Sequence, residues 1–141
     1  MNMIRARRIL RKAFERKVLQ QRVDRMYDYF NKEAWKKCFS LLDPRLRKQQ
    51  RVDQQVYTEG LRNFRAVYGG VQPWYIRLSL HLDGSINKHD PRPFASVYVV
   101  WQDQNHEFHM FRERWVRDSG RWFSRVVGLV PNKTNSESTQ V

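Results

Sequence analysis

A single cysteine, Cys38, is all the thiol this 141-residue chain carries. It excludes an internal disulfide, and no partner stands at metal-ligand spacing. The residue therefore reads as a buried, inert thiol in a chain suited to a reducing compartment. Long apolar runs are also missing. No stretch approaches the roughly 18–20 residues a membrane-spanning helix needs, so the chain is not expected to cross a bilayer. There is no Gly-rich phosphate loop, no Gly-x-Ser-x-Gly elbow and no paired Cys and His to mark a nucleophile. No internal repeat or low-complexity tract is present. Serine is absent from the first fourteen residues, where a transit peptide would use it, and arginine interrupts every apolar core a secretory signal would need. The expected compartment is cytoplasmic, with organelle targeting by the N-terminus left open.

Acid is scarce. Fourteen Asp and Glu stand against 27 Lys and Arg, a formal net charge of +13. Residues 1–25 hold nine cations against Glu15 and Asp24, so more than half of the net charge sits in less than a fifth of the chain. Within it Arg5, Arg7, Arg8, Arg11 and Lys12 precede the first acid and are the candidate anion-binding residues. Such a segment attracts RNA, a ribosome or an anionic membrane surface. Its plainer reading is a solvated helix face.

The first half of the chain reads at helical spacing and the second at strand spacing. Leu19, Val23, Met26 and Phe30 predict a long helix over residues 4–31, and the stripe at 10, 14 and 18 drifts onto theirs, so one helix or two abutting ones fit. Asn31 offers a break before a short helix at 32–41, which Pro44 is expected to close. A third helix starts after Asp53 as N-cap, with Val56, Tyr57, Leu61, Phe64 and Val67 on one face, and ends at Gly69 and Gly70. Strand patterns follow at 73–82, 93–102, 106–117 and 121–130. The order predicts an α+β fold, three N-terminal helices packed on a strongly curved antiparallel four-stranded sheet. The expected divisions are a basic helical extension at 1–16, a domain at 17–130 and a polar tail at 131–141.

Turn chemistry suggests register. A three-residue loop at 118–120 places Val116 opposite Trp122 and Trp115 opposite Phe123; a two-residue turn at Asp103 and Gln104 places Trp101 opposite His106 and Val99 opposite Phe108. One face, with Trp74, Ile76, Leu78, Leu80, Val97, Val99 and Trp101, should meet the helices. The other, with Tyr75, Tyr98, Phe111, Trp115 and Phe123, is too apolar for plain solvent. A homodimer through that sheet face would cover it.

Three helices, the Gly-Gly break and a meander closed by Asp118-Ser-Gly-Arg-Trp-Phe resemble the nuclear transport factor 2-like superfamily, as do Phe39-Ser-Leu-Leu-Asp-Pro-Arg-Leu-Arg and Tyr57-Thr-Glu-Gly-Leu-Arg-Asn-Phe. The resemblance spans about residues 17–130. It implies a cone-shaped α+β barrel, like that of ketosteroid isomerase and the polyketide cyclases. It also implies a pocket between sheet and long helix, with Tyr27, Tyr57, Trp74 and Trp101 as candidate lining and a small apolar ligand as occupant.

Proton-transfer chemistry in such a pocket needs a desolvated carboxylate and a neutral donor. Asp28 and Glu113 are the carboxylates inside elements; Tyr27, Tyr57, Tyr98 and His109 are the donors. Asp28, Tyr98 and His109 are the catalytic candidates, while Glu113 is expected to pair with Arg125 across a hairpin. The four histidines suggest no metal site, since His106 and His109 would face opposite ways in a strand and His89 lies in a polar loop. Trp35, Trp101, Trp115 and Trp122 among arginines also fit a base-stacking surface, although core or interface is the plainer place for them. No cofactor is called for. The favoured function is a non-enzymatic binding or interaction domain with an anion-seeking N-terminal helix. The alternative is an isomerase, dehydratase or cyclase.

Overall fold

The Asn2 side chain accepts the backbone N–H of Arg5 at 2.8 Å and starts α1 (Met3–Asn31), a single unbroken helix. The computed structural model describes residues 2–48 and 52–126. Residues 127–130, the expected end of the last strand, and the tail from 131 lie outside the described residues. Three more helices follow: α2 (Trp35–Ser40), α3 (Pro44–Lys48) and α4 (Gln54–Tyr68). The meander comprises β1 (Gln72–His81), β2 (Phe94–Gln102), β3 (Phe108–Asp118) and β4 (Arg121–Ser124), hydrogen-bonded in the order β1-β2-β3-β4.

The fold is α+β, with two corrections to its detail. Among the described residues there are four helices rather than three. Pro44 does not merely end a helix but opens α3, because its missing N–H and fixed φ suit a first helical position. Asp43 caps that turn through the N–H of Arg45 at 3.1 Å. The sheet is neither closed nor strongly curled, and β1 and β4 are its edges.

Both predicted hairpin registers shift. The last turn is two residues, Ser119 (φ 52°) and Gly120 (φ 82°), both left-handed, so Asp118 faces Arg121 and Val116 faces Phe123. Between β2 and β3 the loop is longer than two residues, because the Asp103 carboxylate accepts the N–H groups of Asn105 and Glu107 at 2.8 and 3.0 Å. Trp101 therefore faces His109, Val99 faces Phe111 and Val97 faces Glu113. An odd shift exchanges faces. Phe111 and Trp115, expected outside, are core residues, and Trp122 joins them. A bulge between Pro73 and Tyr75 puts Trp74, expected inside, in solvent at 63 % exposure.

The core lies between the inner sheet face and α1, α2 and α4. Leu19, Val23, Tyr27 and Phe30 line one side of α1, and Tyr57, Leu61 and Phe64 the buried side of α4, with Val56 and Val67 left exposed. The Asn31 side chain ties the end of α1 to the entry of β1, donating to Val71 O at 2.7 Å and accepting Val71 N–H at 2.8 Å.

Candidate functional site

Alternation along β3 turns Phe111, Glu113 and Trp115 inward, so a carboxyl group enters an aromatic core. Tyr27 meets it from α1, donating to Glu113 Oε2 at 2.5 Å, while Trp115 Nε1 donates to Oε1 at 2.9 Å. Burial pushes the Glu113 acid above its ordinary value, against the pull of those two donors. Burial, followed by the nearby Glu113 charge, raises Tyr27 well above 10. The expected pairing of Glu113 with Arg125 is replaced: Arg125 bonds Asp43 at 2.6 Å.

Beside this pair lies a cavity of about 30 Å³, lined by Tyr27, Phe30, Cys38, Tyr57 and Glu113 among others. That is space for a water or two, where small-molecule sites run to several hundred Å³. Burial pushes the Cys38 thiol to about 12, so it stays protonated at neutral pH. Chemically, the pair can hold a proton out of solvent.

Of the expected pocket residues, Tyr27 and Tyr57 line this cavity; Trp101 packs elsewhere in the core, its ring 4.4 Å from that of His109, and Trp74 is outside. The catalytic candidates are not brought together. Asp28 is exposed and pairs with Lys32, Tyr98 lies on the outer sheet face against Met110, and His109 bonds Asp103 at 2.8 Å. Trp35, Trp101, Trp115 and Trp122 are all buried and offer no stacking surface. Asp103, Glu107 and His109 form the one group of three metal-capable side chains among the described residues. Asp103 already uses both oxygens on His109 and the loop N–H groups. Burial works against its charge, yet these bonds outweigh it and hold the acid below its usual range. His81 lies at the other end of the sheet, opposite Phe94.

A buried ion cluster escaped the sequence reading. Arg92 donates to Asp43 twice and to Asp90 and Asp118, and Arg125 adds a third bond to Asp43. It joins the 83–93 connection to α3 and the last hairpin. Its signal in the sequence is faint: one arginine between prolines in a long polar loop.

The candidate anion-binding residues form a different kind of site. Glu15 is the first buried residue of α1, accepting Arg117 Nε at 2.8 Å and Trp122 Nε1 at 3.0 Å, and Arg16 donates to Leu78 O at 2.9 Å. Those bonds fix the root of an overhanging arm. Before Glu15 the helix runs on for residues 3–14, about 18 Å at 1.5 Å per residue. Arg5, Arg7, Arg8, Arg11 and Lys12 are exposed there, and among the described residues none is in an ion pair. Arg8, Arg11 and Lys12 form one wall of an open groove of about 380 Å³, with Leu80 to Gly84 as the other.

No family model, curated protein or solved structure matches the chain.

Proposed function

We propose that the chain is a non-enzymatic interaction domain that docks on polyanionic surfaces through the arm of α1. The observation that carries this reading is a helix of residues 3–14 with five exposed cations and no acid, anchored at its root by Glu15 and Arg16. A fixed row of such charges holds polyanions by counterion release and long-range attraction. Replacing Arg5, Arg7, Arg8, Arg11 and Lys12 with Gln should lower the salt needed to elute the full chain from immobilised heparin, with its melting temperature unchanged. Elution at the parent's salt concentration would refute the reading.

The body belongs to the same proposal as a divergent member of the nuclear transport factor 2-like group, with an open sheet and a filled interior in place of a ligand-holding cone. Its outer sheet face would seat a second copy of the chain. Trp74, Tyr75, Phe108 and Met110 are more than half exposed there and crowd one end of the sheet.

Proton-transfer catalysis is the second reading, and one observation favours it: a buried Glu113 with raised pKa beside a tyrosine hydroxyl. The size of the cavity weighs against it. A Glu113 side chain that titrates at its ordinary value by NMR would remove the base.

A further inference from the structure

The arm carries more than charge. At about 100° per residue, Met3, Ala6, Ile9, Leu10, Ala13 and Phe14 share an arc of roughly 140°, while Arg7, Arg11, Arg8, Lys12 and Arg5 fill the opposite side with Ile4 among them. Met3, Ile9, Leu10 and Phe14 are 71, 52, 69 and 64 % exposed. A core stripe that merely overran the body would continue the line of Leu19, Val23, Tyr27 and Phe30. The arm's apolar arc is instead centred roughly 115° away from that line, with only its edge residue Ile9 in the direction of Tyr27 and with Met3, Leu10 and Phe14 turned furthest from it. The cations Arg8, Arg11 and Lys12 face the body across the groove.

The apolar face also stops where the overhang stops. Beyond Phe14 the same side of α1 carries Lys17, Gln21, Asp24 and Asp28, all exposed. The apolar strip and the run of unpaired cations thus occupy the same twelve residues, 3–14. A nucleic acid would use the cations and leave the apolar strip in water. An anionic bilayer uses both: lipid phosphates meet the arginines at the flanks, and the apolar side chains enter the acyl boundary.

We propose that residues 3–14 of α1 form an interfacial helix that lies in the headgroup layer of an anionic bilayer. Ile9, Leu10 and Phe14 point into the lipid, and the body stays on the aqueous side. The proposal rests on the reading of the arm as the docking element and narrows its partner to a lipid surface. The geometry suits it, because the bonds of Glu15 and Arg16 hold the body on the side away from the apolar strip.

The test is sedimentation of the full chain with phosphatidylcholine vesicles, with and without about one third phosphatidylserine. The parent should pellet with the anionic vesicles alone. Replacing Ile9, Leu10 and Phe14 together with Ser should weaken that binding roughly tenfold or more while leaving heparin elution in place. Equal pelleting of parent and triple variant would overturn the lipid proposal and leave polyanion docking intact. So would heparin retention with no vesicle binding, or tighter binding to single-stranded RNA that the triple substitution leaves unchanged. Loss of both heparin and vesicle binding in the parent would bring down both readings. Because Ser also weakens the helix, Phe14→Trp provides a second readout: its fluorescence should be quenched by brominated acyl chains, and an unquenched signal on bound protein would overturn insertion.

Discussion

Tyr27 and Glu113, 86 positions apart in the chain, share a 2.5 Å hydrogen bond in the middle of the core. The acid's pKa is raised by burial, so its link to stability has a definite sign. In the unfolded chain Glu113 ionises near 4.5, and in the fold it ionises later. Its contribution is complete below the unfolded value and is lost as pH rises toward the folded one. Denaturant unfolding of Glu113→Gln and parent between pH 4 and 8 should therefore show the difference in stability moving in the variant's favour as pH rises. The slope between the two pKa values should approach about 1.4 kcal/mol per pH unit. A difference independent of pH would mean that Glu113 is ionised in the core.

The Asp43 cluster titrates in the opposite sense. Burial alone would raise Asp43, but bonds from Arg92 and the Arg45 N–H, with the charges of Arg92 and Arg125, hold it below its usual range; Arg92 does the same for Asp90. Depressed carboxylates stabilise above their unfolded values, and that stability is lost as pH falls below about 4 through the folded ones. Asp43→Asn keeps the α3 cap and leaves Arg92 and Arg125 with one carboxylate fewer. It should cost about 3 kcal/mol or more at neutral pH, with a flatter acid limb than the parent. A cost under about 1 kcal/mol in urea melts would show that Asp90 and Asp118 suffice to hold the arginines.

How far the sequence showed this can be read from particular residues. α4 was legible because Asp53 caps it and Gly69 ends it through local bonds. Helices before a four-stranded meander followed from periodicity, while α3, a single turn opened by Pro44, is too short to show any. Hairpin register did not follow, since it depends on how Asp103 gathers loop N–H groups and on Ser119 taking a left-handed φ beside Gly120. An error of one or three residues there reverses the faces, which is why turn chemistry alone puts Phe111 and Trp115 on the outer, dimer-covered face. Glu113 was visible as a carboxylate in a strand, but its partner on α1 is a long-range fact that neither periodicity nor spacing encodes. The arm was legible in its charge, while its apolar strip gained meaning only once α1 proved continuous and its buried side known.

Two glycines separate backbone from packing. A Cβ at Gly120 or Gly60 meets nothing within 4 Å. Gly120 has φ of 82°, so Gly120→Ala should destabilise by roughly 1–2 kcal/mol from the left-handed backbone alone. Gly60 is exposed inside α4, so Gly60→Ala should stabilise by about 0.5–1 kcal/mol. Thermal melts of the two variants should move in opposite directions. A Gly120→Ala variant as stable as the parent would contradict the turn, and with it the register that turns Trp122 inward.

The outer face of the sheet supports a prediction about assembly. Tyr75, Val100 and Met110 stand side by side across three strands, and the Trp74 ring sits 5.3 Å from that of Phe108. The next row is Arg77, Tyr98 and Arg112, with Arg114 beyond it. Because the apolar band is at one end, a two-fold axis through it overlaps only those ends and carries the arginine rows of the two copies in opposite directions. In such a dimer the like charges would stay apart, and each copy would cover the other's aromatics. Sedimentation equilibrium should show a concentration-dependent dimer. Met110→Lys places two ammonium groups near the axis and should weaken the dimer by about tenfold or more, without lowering the melting temperature of the monomer. A parent that remains monomeric at about 100 μM, where contacts of only about 5–6 kcal/mol would already associate, would leave this face to another partner.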